Sequence, residues 1–351
     1  MATAAAAAPR TSGIRFGRAA RRYGWTIAVY ALFAVLMGVT LIIKPDYGAF
    51  EWNTLTLAAL PLAFAATAQT IVVLSGGIDL SVGPLMALAN VLALRAMLGH
   101  DLGYSLIVAL IVLLEVTLAG ALNGAIIVLT RVPDIVITLA TSFIWAGLAL
   151  LVLAKPTPGV PFDFQNLAQG STLSAWIPNA LLLLLVIPLV WIPLRRSRAG
   201  LAIYAVGSDR NAAFRSGVNL GLSRVLAYAV GGFFAACGGL ALSMTTGVGS
   251  PLAGTYYTLS GVSAIVLGGV SLAGGRGGML GPVAAAYILS NPETRASMER
   301  MVPMRGAYPG RPEQMAAILG WCVSPENGLM TGQILSVDGG FECLSRGEKS
   351  W

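Results

Sequence analysis

The sequence has little charge. Only 11% of its 351 residues are Asp, Glu, Lys or Arg, where a soluble domain carries about a quarter. That shortfall excludes an ordinary water-soluble globule. Acid is scarcer than base: 15 Asp and Glu stand against 22 Lys and Arg, a formal +7. The basic residues cluster beside apolar runs and present no basic face with interleaved aromatics. The excess therefore points to membrane orientation and not to nucleic acid. One histidine, His100, in a short stretch between apolar runs, cannot build a metal site alone. Three cysteines, Cys237, Cys322 and Cys343, lie far apart without a CxxC pair. Cys237, inside an apolar run, reads as a small buried residue.

What the sequence has is hydrophobic length. Apolar residues make up 56% of it and the mean hydropathy is +0.77. Runs of about twenty apolar residues are long enough to cross a bilayer. Eight are read as complete spans, at about 25–43, 54–74, 84–98, 104–129, 135–153, 179–194, 225–244 and 258–272, with a ninth cut short over 279–290. The fourth carries Glu115 and Asn123, polar residues that belong on a protein-facing side. The expected fold class is an all-α polytopic membrane protein with a short soluble α/β tail. Residues 1–24 hold Arg10, Arg15, Arg18, Arg21 and Arg22, with no small-residue cleavage site after the first run. They are expected to be an uncleaved basic cytoplasmic arm. Six crossings from an inside start return inside, where Arg195, Arg196 and Arg198 stand, as the positive-inside rule requires.

The most informative stretch is Leu74-Ser75-Gly76-Gly77-Ile78-Asp79-Leu80-Ser81-Val82-Gly83-Pro84. Helix breakers and a carboxylate between two apolar runs are costly in hydrocarbon, because freed backbone groups find no water there. A broken helix facing protein or a water-filled cavity accommodates them. The string closely resembles the Gly-Gly-Ile-Asp-Leu-Ser-Val-Gly signature in permease subunits of bacterial ribose- and xylose-type sugar importers, members of the ATP-binding-cassette transporters. Gly76, Gly77, Asp79, Ser81 and Gly83 are the residues expected to shape the translocation segment. Two roles stand open for Asp79: contact with the sugar, or capping of a half-helix through its N-terminal dipole.

Residues 199–223 are too charged to span. Ser208 or Asp209 is placed to cap a short helix running to Arg215 and stopped by Gly217. The segment resembles the coupling loop with which such permeases dock on their ATP-binding subunit, implicating Gly207, Asp209, Asn211, Ala212, Ala213 and Gly217. Where the family often has Glu-Ala-Ala, this chain has Asn211-Ala212-Ala213. The stretch Leu267-Gly268-Gly269-Val270-Ser271-Leu272-Ala273-Gly274-Gly275-Arg276-Gly277 carries the same resemblance. It lacks the Gly-Lys-Ser/Thr ending of a nucleotide-binding P-loop.

At about Ser290–Asn291 the composition changes. Asn291-Pro292-Glu293 starts a charged helix, Pro312-Glu313 a second, and Thr331-Gly332-Gln333 with Val337-Asp338-Gly339-Gly340 reads as a strand and turn. Residues 291–351 resemble the C-terminal end of short-chain dehydrogenases, without the upstream cofactor turn or Tyr-x-x-x-Lys pair of that family. The sequence reads as a join of two unrelated genes. The resemblance over 25–290 implies a non-enzymatic permease subunit in a bacterial inner membrane, with its N-terminus cytoplasmic and its surface in lipid. It implies a second permease subunit in a homo- or heterodimer, a cytoplasmic ATP-binding subunit and a periplasmic sugar-binding protein. No cofactor is expected on this chain, ATP being used by the partner. The tail adds two alternatives, a non-functional truncated fusion and an NAD(P)-dependent oxidoreductase.

Overall fold

The computed structural model describes residues 13–291. The tail read as a dehydrogenase fragment lies outside the described residues. Thirteen helices are described: α1 Gly13–Ile43, α2 Ala49–Leu74, α3 Val82–Met97, α4 Leu102–Thr130, α5 Asp134–Val152, α6 Phe162–Gln169, α7 Asn179–Leu183, α8 Val186–Arg196, α9 Arg198–Ser208, α10 Arg210–Arg215, α11 Leu220–Thr246, α12 Thr255–Leu267 and α13 Leu280–Ser290. Two short strands, β1 Thr157–Pro158 and β2 Val248–Gly249, pair antiparallel.

Six segments are long and apolar enough to cross a membrane: Gly24–Ile43, Ala49–Leu74, Leu102–Thr130, Asp134–Val152, Asn179–Arg196 and Leu220–Thr246. The expectation of eight complete spans needs correction here. The third and eighth runs fold as α3, of 16 residues, and α12, of 13. At 1.5 Å rise per residue these are about 24 and 20 Å long, short of the ~30 Å hydrocarbon core. The ninth run, α13, has 11 residues. The third run was read at nearly its true length, about fifteen residues, and the eighth was read past the end of α12 at Leu267. Two further differences concern the ends of elements. The first helix begins at Gly13, within the stretch read as an arm. Residues 155–178, between the fifth and sixth runs, contain α6 and β1.

The centre of the bundle is α2, buried along most of its length from Leu55 to Leu74, with α11 beside it. Their directions oppose, the ring of Phe64 stacking on that of Phe234 at 6.5 Å. Helix α3 runs with α11: Gly239 packs on Met86 and Ala89, and Asn90 Nδ2 donates to Ser243 Oγ at 2.8 Å. Extrapolated back four residues, the start of α3 is level with the middle of α11. Around this centre α4 packs closely on α11 where Gly120 meets Gly232, and α5 packs on α3. The ninth segment is packed too, with Tyr287 stacked on Trp52 and edge-on to Phe33.

The geometry of α2, α3 and α11 makes the chain double back. Helix α2 finishes at the end of the bundle formed by α9 and α10. Residues 75–81 then climb to mid-depth without a helix before α3 completes the path to the β1–β2 end. From that end residues 247–254 descend to mid-depth, and α12 continues back toward α9 and α10. The starts of α3 and α12 therefore meet, Gly83 against Gly254, and a Cβ on either would overlap the other's backbone carbonyl.

Candidate functional site

Residues 75–81 leave a run of backbone N–H and C=O groups outside any helix, each costing several kcal/mol if unpaired in hydrocarbon. Side chains of neighbouring helices meet this demand. Gln69 Nε2 donates to the Asp79 carbonyl at 2.6 Å. The Leu80 N–H donates to Thr138 Oγ1 at 3.1 Å, and the Thr138 hydroxyl reaches the Ile78 carbonyl at 3.3 Å. Tyr228 OH approaches the same carbonyl at 3.4 Å. Along the segment Ser75, Gly77 and Asp79 are buried, while Gly76, Ile78 and Leu80 are half-buried.

Asp79 is fully buried and its Oδ1 accepts from both the N–H and the hydroxyl of Ser81, at 2.8 and 2.5 Å. The carboxylate thus sits at the N-terminal end of α3, where the helix dipole favours negative charge. The Ser81 hydroxyl also accepts from Asn123 Nδ2 at 2.8 Å, and Asn123 Oδ1 accepts from Trp145 Nε1 at 3.3 Å. The Gly83 N–H donates to Thr258 Oγ1 at 3.2 Å. Asp79 Oδ2 and Gln69 Oε1 are buried without a hydrogen-bond partner.

Toward the α9–α10 end the segment meets a second network. Asp134, opening α5, pairs with Arg224 of α11, and its Oδ2 accepts from Tyr228 OH at 2.9 Å. Gly77 lies against this cluster so closely that a Cβ would overlap Asp134 Oδ2. Of the two polar residues expected on a protein-facing side of the fourth run, Asn123 is buried and Glu115 is exposed. Sequence reading missed Gln69, Asp134, Thr138, Arg224 and Tyr228. The one signal was a pair of opposite charges at the ends of two apolar runs, Asp134 just before the fifth and Arg224 just before the seventh.

Among the residues read as a coupling loop, Asp209 is the N-cap of α10, its carboxylate accepting from Asn211 N and Ala212 N at 2.8 and 3.0 Å. Gly217 ends the turn at φ +78°. Asn211, Ala212 and Gly217 are exposed and Ala213 is buried. Phe214 is 69% exposed and, with Val218 and Leu220, borders a shallow depression of about 470 Å³. Gly207 alone of this group reaches the broken segment, packing on the Leu74 carbonyl so tightly that a Cβ would overlap it. Beside it Arg210 Nη2 lies 3.4 Å from the Gly76 carbonyl, and the Gly275 N–H donates to the Leu74 carbonyl at 3.1 Å. The loop without a P-loop ending therefore seals the junction between α2 and α9. Among the described residues no group of three or more His, Cys, Asp or Glu is placed to hold a metal.

The described residues thus form a helical bundle with a broken central segment and an exposed capped helix beside it. A profile of the family described as "Branched-chain amino acid transport system / permease component" matches residues 51–297. The chain belongs to that permease family. The ribose import permease protein of Bacillus subtilis (strain 168) is 35% identical over 228 residues, 64% of this chain and 70% of that protein. The fructose import permease protein of Rhizobium meliloti is 29% identical over 273 residues, 75% of each chain. The autoinducer 2 import system permease protein of Photorhabdus laumondii is 32% identical over 267 residues, 75% of this chain and 79% of that one. No solved structure matches. These relatives are permeases, not enzymes.

Proposed function

We propose that this permease is the membrane subunit of an ATP-binding-cassette importer for a monosaccharide of the ribose or xylose type. The observation that carries the reading is one contact: the arm bearing Gly207 and Arg210 lies directly on the broken segment at Leu74 and Gly76. A force applied to the exposed α10 reaches the passage through a single backbone junction. Support for the cargo comes from the relatives named for ribose and fructose import.

In this reading Gly76, Gly77, Asp79, Ser81 and Gly83 form the translocation segment. Asp79 serves as the cap of α3, a role that fits its two bonds from Ser81. Gly207, Asp209, Asn211, Ala212, Ala213 and Gly217 form the docking loop of a cytoplasmic ATP-binding subunit, with Phe214 as its apolar anchor. A second permease subunit and a periplasmic sugar-binding protein complete the assembly in a bacterial inner membrane, with the N-terminus cytoplasmic. This chain needs no cofactor; ATP is used by its partner, whose binding and hydrolysis bias the equilibrium between the two openings.

Residues 291–351 are read as a short-chain dehydrogenase remnant joined at Ser290–Asn291, although the permease match runs to residue 297. Without a cofactor turn or catalytic pair the remnant is expected to show no NAD(P)-dependent turnover. The test of the function is uptake by cells carrying the permease with its partner proteins. Labelled ribose is expected to accumulate, and unlabelled ribose or xylose to compete. Failure to accumulate ribose, xylose, fructose or allose overturns the reading.

A further inference from the structure

Asp134, Arg224 and Tyr228 have no part in the family signature described above, yet they hold the broken segment from the side opposite the coupling arm. We propose that these three residues form a releasable latch that keeps residues 76–80 closed against α5 and α11, and that the arm carrying Gly207 and Arg210 opens it. The inference rests on the coupling reading for its second half only; the latch itself stands on geometry.

Four observations carry it. Asp134 accepts from Arg224 and Tyr228 at once, so a single carboxylate ties the start of α5 to the start of α11. Gly77 packs on that carboxylate and on the Tyr228 hydroxyl, so the segment lies against the cluster and cannot shift toward it. On this side the Leu80 N–H donates to Thr138 Oγ1 at 3.1 Å, while the contacts of Tyr228 and Thr138 with the Ile78 carbonyl are 3.4 and 3.3 Å. These two contacts sit at the long limit of useful hydrogen bonds, and separate when a helix moves by a fraction of an ångström. Arg224 Nε is buried without a hydrogen-bond partner, so the closed ion pair is incompletely satisfied. A permanent support would use a helix ladder or apolar packing. Here the support is one ion pair, one phenol and one hydroxyl, all separable without unfolding either helix. On the opposite side the Leu74 and Gly76 carbonyls are gripped by Gly275 and Arg210. The segment lies between the latch and the arm, with Gly76 at φ +80° as the link.

The test places one reporter on the segment. With Cys237, Cys322 and Cys343 changed to Ser, Ile78→Cys reports release of the segment through its labelling rate with a small maleimide in native membranes. Phe50→Cys, 79% exposed at the start of α2, is the reference. Tyr228→Phe is expected to speed labelling at position 78, and Asp134→Asn with Arg224→Gln to speed it by about tenfold, the effect of losing one or more net hydrogen bonds. The rate at position 50 stays unchanged. Equal rates at position 78 in all variants, or a parallel rise at both reporters, overturns the latch. Tyr228→Phe removes only a hydroxyl and keeps the test valid if the charge variants fail to insert. In cells with the partner proteins, latch variants are expected to hydrolyse ATP with several-fold less sugar taken up per ATP. Absence of uptake by the unmodified permease strikes the importer reading alone, and the labelling rates still decide the latch.

Discussion

Asn90 shows how much one buried amide holds in this bundle. Its Nδ2 donates to Ser243 Oγ and to the Val248 carbonyl, and its Oδ1 accepts from the Ser250 N–H at 2.7 Å. It pins the descending stretch 247–254 to α3. Asn90→Ala orphans those groups, and at about 1–3 kcal/mol for each unsatisfied buried group it is expected to lower the thermal unfolding midpoint of detergent-purified protein markedly. Asn90→Asp is expected to recover part of the loss through Ser250. Two glycines separate a second expectation. Gly217 has open space around its Cα and a φ of +78°, so Gly217→Ala costs about 1 kcal/mol of backbone strain. Gly83 faces the Gly254 carbonyl, so Gly83→Ala is expected to lower the amount accumulated in membranes while Gly217→Ala does not, as read by immunoblot of membrane fractions. Asp79 and Ser81 were legible in the sequence because polar groups and glycines between apolar runs have few structural explanations. Asp134, Arg224 and Tyr228 were not, because a residue at the end of an apolar run looks solvated until its partner, some ninety positions away, is placed beside it.

Among elements, α3 and α12 are the informative ones. Their apolar runs read as spans, and the positions of the runs were close; helices of 16 and 13 residues are too short to cross alone. Hydropathy does not register that residues 75–81 and 247–254 lie outside any long helix, since Gly, Ser and Thr are nearly neutral on such scales. The short helix α10, by contrast, was readable in its bounds, with the cap left between Ser208 and Asp209; the structure places it at Asp209, with Gly217 ending the turn. Its cap supports a prediction. Asp209→Ala removes two bonds to backbone N–H groups and about 1 kcal/mol of helix stability. It is expected to weaken retention of the ATP-binding subunit during purification, with Asp209→Ser retaining most of it. For the broken segment, hydrogen exchange in lipid discs gives the check. Amides of residues 76–80 are expected to exchange well before those of residues 62–72 of α2, because Gly76 and Gly77 bond only to last-turn carbonyls of α2 and Leu80 to a single hydroxyl. Equal protection would mean that the segment is as rigid as the helix before it.

For the whole molecule, the account makes a chain of contacts into a transmission path: α10 and α9 to Gly207, Gly207 to the end of α2, and from there through the broken segment to α3. Sequence reading placed the two ends of that path by resemblance and could not connect them, since the connection is a close backbone approach between glycines more than 130 positions apart. The measurement that tests this most directly is sugar uptake into liposomes holding the permease with its ATP-binding partner and the sugar-binding protein. ATP is supplied on the side of the ATPase, and the permease is compared with its Gly207→Ala variant. The account predicts ATP-dependent ribose accumulation by the unmodified permease. It predicts at least a tenfold loss in the variant, a change of ~1.4 kcal/mol or more in the coupled step, with the ATPase still bound. Full uptake by a correctly inserted Gly207→Ala protein, or no ATP-dependent uptake by the unmodified one, would contradict it.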